Sequence, residues 1–173
     1  QHHELDVVIY SGNVAELQGQ TVTDSHLEIG AAVSLSDAMP AIIEHYPTLE
    51  ELFLRFASPP IRNAGTLGGN IANGSPIGDT MPALLVLDAS VALRKGADQR
   101  TLSLNGFYID YMENALQPGE FVEKILIPLP DAGARVECYK VSKRFDQDIS
   151  AVCGAYRLVM DGDAVGDIRV AYG

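Results

Sequence analysis

Residues 65–78 read Gly-Thr-Leu-Gly-Gly-Asn-Ile-Ala-Asn-Gly-Ser-Pro-Ile-Gly, and five of these 14 are glycine, against 16 in the whole 173-residue chain. Glycine admits positive φ and lets the backbone approach a ligand with no Cβ in the way. Successive N–H groups in such a segment can form an anion-binding nest. Thr66, Asn70, Asn73 and Ser75 add hydroxyl and amide donors, and Asp79 closes the segment. Together they suit a pyrophosphate and its attached ribose. A nucleotide-hydrolase loop is excluded: Gly69 and Gly74 have its spacing, but Ser75 stands where its lysine must be. The Gly-x-Gly-x-x-Gly turn of dinucleotide folds is also absent. The same glycines would serve equally as a tight crossing between two layers, and the residues leave both readings open. A second candidate is the basic cluster Arg135, Lys140, Lys143 and Arg144, which is either a source of positive charge for a ligand or a solvated strand edge.

The elements that must position these groups follow from periodicity. The apolar run Leu5–Tyr10 predicts a buried strand, and Val22–Val33 one or two more. Ser34 or Ser36 can cap a helix with Met39, Ile42, Ile43 and Tyr46 on one face. Thr48 and Glu51 have the spacing of a capping box. The helix behind it would carry Leu49, Leu52, Phe53 and Phe56, with Pro59-Pro60 as its stop. Residues 65–78 are expected as a loop, leading to a short buried helix over Met81–Leu87 with Asp79 or Thr80 as its cap. Strands are predicted at Val91–Arg94, Thr101–Leu104, Phe121–Ile127, Val136–Lys143 and Ile149–Met160. A hairpin turn at Asp161-Gly162-Asp163 leads to a last one at Ile168–Tyr172. Helices early and antiparallel strands late give an α+β chain.

Ala57 to Asp79 resembles the second FAD-contacting segment of the molybdenum hydroxylases, with Gly69-Asn70-Ile71 and Ser75-Pro76-Ile77-Gly78-Asp79 similar to the xanthine dehydrogenase branch. Cys138 to Ile149 is similar to that family's Lys-x-x-x-Arg-x-x-x-Asp-Ile segment, and Gly119 to Pro128 to its strand ending in Ile-Pro. The resemblance implies an FAD-binding domain of the vanillyl-alcohol-oxidase type, with a mixed or antiparallel sheet and helices. It divides the chain into an FAD-binding part, 1–128, and the start of a C-terminal flavoprotein subdomain, 129–173. It also implies cofactor-binding roles. Thr66, Gly69 and Asn70 would contact the diphosphate and ribityl side, with Gly65 allowing close approach and Asp79 bonding the ribose or adenine end. Phe56 and Ala57 would border the flavin, Val122 would pack near it, and Lys140 would set a cation beside its carbonyls. The Arg144–Asp148 stretch would lie near the nicotinamide entrance.

The family's Gly-Gly-Thr-Asp loop and the remainder of its C-terminal subdomain have no counterpart here, so the chain is expected to be a piece of such a domain, with its FAD site incomplete and its affinity for FAD low or absent alone. Molybdopterin and [2Fe–2S] centres are expected on other domains or subunits, because two cysteines cannot ligate a cluster that takes four. The function implied is electron passage from iron–sulfur centres through FAD to NAD+ during xanthine or hypoxanthine oxidation. A molybdenum-independent flavin reductase of the same fold and a non-catalytic assembly module are the alternatives. Lysine and arginine number 12 against 23 acids, a net charge of −11, and residues 1–60 alone hold one base and nine acids. Such a balance argues against nucleic acid or an anionic membrane as partner. A cytoplasmic location is expected from two free thiols and no apolar run of membrane-spanning length.

Overall fold

The computed structural model describes residues 6–173. Two short 3-10 turns, Ser11–Asn13 and Ala15–Leu17, precede the hairpin of β1 (Gln20–Val22) and β2 (His26–Gly30). Helix α1 (Leu35–His45) begins where the Ser34 hydroxyl accepts from the Asp37 amide, so the first of the two candidate serines is the cap. Four short helices follow: α2 (Glu50–Arg55), α3 (Pro59–Ala64), α4 (Leu67–Asn73) and α5 (Thr80–Val86). Then come β3 (Ser90–Lys95), β4 (Asp98–Ser103), the single turn α6 (Leu104–Phe107), the small pair β5 (Tyr108–Asp110) and β6 (Glu113–Asn114), and β7 (Phe121–Pro128). The chain ends in a meander of β8 (Ala134–Val141), β9 (Val152–Asp161) and β10 (Ala164–Tyr172).

The larger sheet has the order β1-β2-β7-β3-β4 with every pairing antiparallel. Strand β7 enters between the two earlier hairpins, and its Ile125 faces Ile29 on one side and Val91 on the other. All three side chains are fully buried, and the helices lay Phe53, Leu67, Ile71 and Leu84 over the same core. Each such side chain contributes about 1.5–3 kcal/mol by leaving water. The meander forms a second sheet, which packs on α5.

Several sequence expectations need correction. Leu5 lies outside the described residues, and residues 7–10 form no strand: Val7, Val8, Ile9 and Tyr10 are exposed, and an apolar run with no strand beside it has no ladder to join. The capping box does not form. Residues 47–49 make a 3-10 turn, Leu49 takes the N-cap position in helical conformation, and no side chain caps α2. Nor do the prolines stop that helix. It ends at Arg55, and Pro59-Pro60 open α3, where a missing N–H costs nothing.

The glycine-dense segment is itself largely helical. Thr66 caps α4 by accepting from the Gly69 amide, and Gly74 ends it in left-handed conformation at φ 58°. Two internal glycines cost about 1 kcal/mol each in helix propensity, and full burial of Leu67 and Ile71 outweighs this. Asp79 sits at the N-terminus of α5, but its side chain makes no cap hydrogen bond.

Candidate functional site

The N-termini of α1 and α4 lie side by side. Leu35 donates to the Gly65 carbonyl at 2.9 Å and Leu67 to the Val33 carbonyl at 3.0 Å, so the caps Ser34 and Thr66 pair in a single antiparallel bridge. A trough opens there in two arms that share Ser11, Ala32 and Thr66. One arm, of about 890 Å³, runs over Ala31, Gly69, Ala72, Phe121 and Val122 and is mostly apolar. The other, of about 810 Å³, is lined by Gln18, Ser34, Ser36, Asp37 and Asn63 and is mostly polar. Each volume lies within the range of small-molecule sites.

The glycines divide their work. Gly68 is buried, and a Cβ there would stand 2.5 Å from Ala31 Cα and 2.7 Å from Ala31 O, so it is the tight crossing between layers. Gly69 is exposed to the trough, and a Cβ there would meet only Thr66 Oγ1, at 2.9 Å. The layer-crossing reading therefore holds at Gly68, while Gly69 is left open to the trough. The far end of α4 is anchored by side chains that the sequence reading missed. Tyr108 donates to the Ile71 carbonyl and Asn114 to the Ala72 carbonyl, each at 2.9 Å. Burial pushes the Tyr108 hydroxyl well above its ordinary pKa.

The positive charge in the trough is taken up by internal pairing. Arg94 bridges Glu123 at 2.7 Å, with Gln99 as a second donor. Burial pushes the Glu123 carboxyl up, but the bonds from Arg94 and Gln99 outweigh it and hold the group below the usual carboxylate range. Glu16 lines the same arm, and Asp37 the other. An anionic ligand here must be held by neutral O–H and N–H donors. Thr66 Oγ1 accepts from Gly69 at 3.0 Å and keeps its own hydroxyl proton to donate. An adenine dinucleotide fits this arrangement, with an apolar arm for a planar ring, a polar arm for a nucleotide, and backbone open to close approach at Gly69 between them.

Thr66, Gly69 and Val122 line the trough, whereas Phe56, Ala57, Gly65, Asn70, Asp79 and Lys140 do not. Phe56 is a core residue just past α2, and Ala57 follows it at φ 52°, held by Arg62, whose guanidinium donates to the Leu54, Phe56 and Ala57 carbonyls. Asn70 accepts from the Thr80 hydroxyl. Asp79 and Lys140 form a buried ion pair, Nζ to Oδ2 2.6 Å, with side chains 3% and 2% exposed. Ser150 donates to Asp79 Oδ1 at 2.6 Å and accepts from Lys140 at 2.7 Å. The solvated-edge reading therefore fails at Lys140, whose ammonium is buried and paired with Asp79. No group of ligating side chains suited to a metal occurs among the described residues.

Residues 1–130 match the family described as FAD binding domain in molybdopterin dehydrogenase, and residues 137–173 match the CO dehydrogenase flavoprotein C-terminal domain. The chain belongs to the FAD-binding domains of the molybdenum hydroxylases. It is 34% identical over 170 residues to nicotinate hydroxylase hnxS of Emericella nidulans, an alignment spanning 88% of this chain and 13% of that one. It is 30% identical over 179 residues to the putative xanthine dehydrogenase FAD-binding subunit XdhB of Escherichia coli K12, covering 99% of this chain and 61% of the relative. Carbon monoxide dehydrogenase from Hydrogenophaga pseudoflava superposes with a TM-score of 0.82 at 28% identity, over 91% of this chain and 55% of that one. The chain thus spans less than two thirds of each of these relatives. FAD is the cofactor of this domain family, and molybdopterin and [2Fe–2S] centres in the family lie on other subunits or domains.

Proposed function

We propose that the two-armed trough holds FAD, and that the intact protein passes electrons from iron–sulfur centres through FAD to NAD+ as a heterocycle is hydroxylated at molybdenum. The observation that carries the reading is Thr66 at the waist of the trough, with the glycine backbone beside it and apolar and polar arms on either side. Bound FAD supplies two-electron chemistry between iron–sulfur centres and a nicotinamide. The chain's own residues bind and orient. Thr66 offers its hydroxyl proton to an anionic oxygen, Gly69 admits the backbone to close range, and Ala31, Ala72 and Val122 form an apolar floor that excludes water. The N-terminal ends of α1 and α4 add their partial positive charge.

On the strength of the family resemblance, Phe56, Ala57 and Lys140 stay as proposed flavin neighbours, Gly65 and Asn70 as proposed residues of the diphosphate and ribityl side, and Asp79 as a proposed residue of the ribose or adenine end. For Lys140 the buried pairing with Asp79 supports a fixed dipole rather than a free cation. The proposed substrate is a purine such as xanthine or hypoxanthine. Nicotinate is the second reading, supported by the 34% identity to a nicotinate hydroxylase. The molybdenum and iron–sulfur subunits are the proposed partners, in the cytoplasm.

The test is FAD titration followed by backbone amide NMR shifts. Shifts are expected over 66–73, 31–32 and 121–123, with loss of binding in Thr66→Val and Gly69→Val. Shifts at ~1 mM FAD confined to residues outside the trough, or binding unchanged in Gly69→Val, would sink the trough as the site; 1 mM corresponds to about 4 kcal/mol.

A further inference from the structure

The segment from Lys140 to Ser150 leaves strand β8, turns and returns to β9, and its interior is filled by one side chain from far away in sequence. Arg55, at the end of α2 and 11% exposed, donates from Nε to the Phe145 carbonyl at 3.0 Å and from Nη1 to the Lys140 carbonyl at 3.1 Å. Its Nη2 donates to Ser142 Oγ at 3.1 Å, and the Phe145 ring lies on the guanidinium, 4.5 Å from its centroid. Ser142 in turn donates to the Arg144 carbonyl, and the Asp148 carboxylate accepts from the Arg144 amide and side chain. At the base the Ala151 amide donates to the Val141 carbonyl at 2.7 Å, beside the bond from Lys140 to Ser150.

We propose that Arg55 is a positioning residue, a template around which the 141–149 loop folds, so that helix α2 fixes where the exposed Arg144 and Phe145 stand and holds the end of the strand that carries Lys140. The physical ground is the guanidinium fork. A planar group with five donors can bond three loop acceptors and stack on an aromatic ring together, and an ammonium cannot. Arg144 and Phe145 are themselves exposed and supply no packing that would hold the loop without it. The functional weight of the clamp rests on the proposed reading that Lys140 and this loop border the flavin. The clamp itself is independent of that reading.

The chain contains no tryptophan, so Phe145→Trp gives a single fluorescent reporter on the loop. In that background Arg55→Gln and Arg55→Lys are both expected to raise acrylamide quenching of the introduced indole at least about twofold and lower its anisotropy, while the far-UV melting transition stays cooperative, because loop opening is local. Quenching and anisotropy unchanged in Arg55→Gln, or fully restored by Arg55→Lys, would overturn the proposal. Should Arg55→Gln not fold, Ser142→Ala removes the Nη2 acceptor, together with the bond from Ser142 to the Arg144 carbonyl. Amide exchange at Arg144 and Ala151 must then accelerate relative to the β3–β7 core, and equal exchange overturns the clamp. All of these readings are taken without FAD, so a failure of the flavin assignment shows separately, as FAD shifts confined to residues outside the trough.

Discussion

Breaking the Lys140–Asp79 pair is expected to bring the protein close to its stability limit. At 2.6 Å and an effective dielectric near 20, the two charges attract by about 6 kcal/mol. Side chains 2% and 3% exposed have lost nearly all hydration, which costs several kcal/mol per ion. Lys140→Met removes the attraction and one of the two desolvation penalties, leaving Asp79 with Ser150 as its side-chain donor, so the net loss is ~3–5 kcal/mol. Asp79→Asn keeps an acceptor for Ser150 but strands the ammonium, and is expected in the same range. Total stability of such a domain is about 5–15 kcal/mol, so either variant is marginal. The double variant Asp79→Asn/Lys140→Met has no stranded charge and is expected to recover ~2–4 kcal/mol relative to the sum of the singles. Urea unfolding followed by circular dichroism measures all four proteins. Singles costing under about 1 kcal/mol, or a double that is additive within ~0.5 kcal/mol, would refute the reasoning, because the pair would then not be desolvated as a unit.

Gly68→Ala is expected to destabilise by about 1–3 kcal/mol, since its Cβ would press on Ala31 backbone, whereas Gly69→Ala should cost under ~1 kcal/mol because it meets only the Thr66 hydroxyl and gains helix propensity. Thermal melts of the two variants separate the crossing glycine from the trough glycine. Burial raises the Tyr46 hydroxyl to about 12, against an opposing Arg157 charge, and the hydroxyl donates to the Pro128 carbonyl. A tyrosine ionises near 10 when unfolded, so the contribution of Tyr46 to stability is constant below about pH 10 and falls as pH rises from there towards 12. Tyr46→Phe should flatten that fall in alkaline melts, at a cost of about 1 kcal/mol for the lost hydrogen bond.

What the sequence could show was whatever is carried by local pattern. Ser34 with the face Met39, Ile42 and Tyr46, beside a half-buried Ile43, and the alternating strands around Val91 and Ile125, are written within a few residues and are found where expected. The capping box at Thr48 failed because Leu49 is fully buried and serves a 3-10 turn, so tertiary packing displaced a local bond worth about 1 kcal/mol. Helix α4 was hidden because glycine reads as loop, and what stabilises it lies elsewhere: Ala31 across the crossing, and Tyr108 and Asn114 at its end. Asp79 read as a cap for the same reason, since its true partners are 61 and 71 residues away. Arg55 gave no signal of its clamp, because, apart from Glu51 one turn earlier, its partners lie 85 to 90 residues further on.

Those long-range pairings change the electrostatic argument for the site. In a chain of net charge −11 that takes an anionic dinucleotide, a free cation would be the simplest source of attraction, and Lys140 is the natural candidate. Its charge is instead consumed by Asp79, and Arg94 in the trough is consumed by Glu123. With Arg94 paired to Glu123, the trough keeps Glu16 and Asp37 in excess and is net negative rather than attractive, so affinity must come from directed donors, which weaken little with salt, rather than from field strength, which salt screens within about 10 Å at 0.1 M. FAD binding by this domain should therefore not weaken between low salt and about 0.5 M. A steep salt dependence would mean that a cation, Lys140 or Arg94, leaves its carboxylate to meet the ligand.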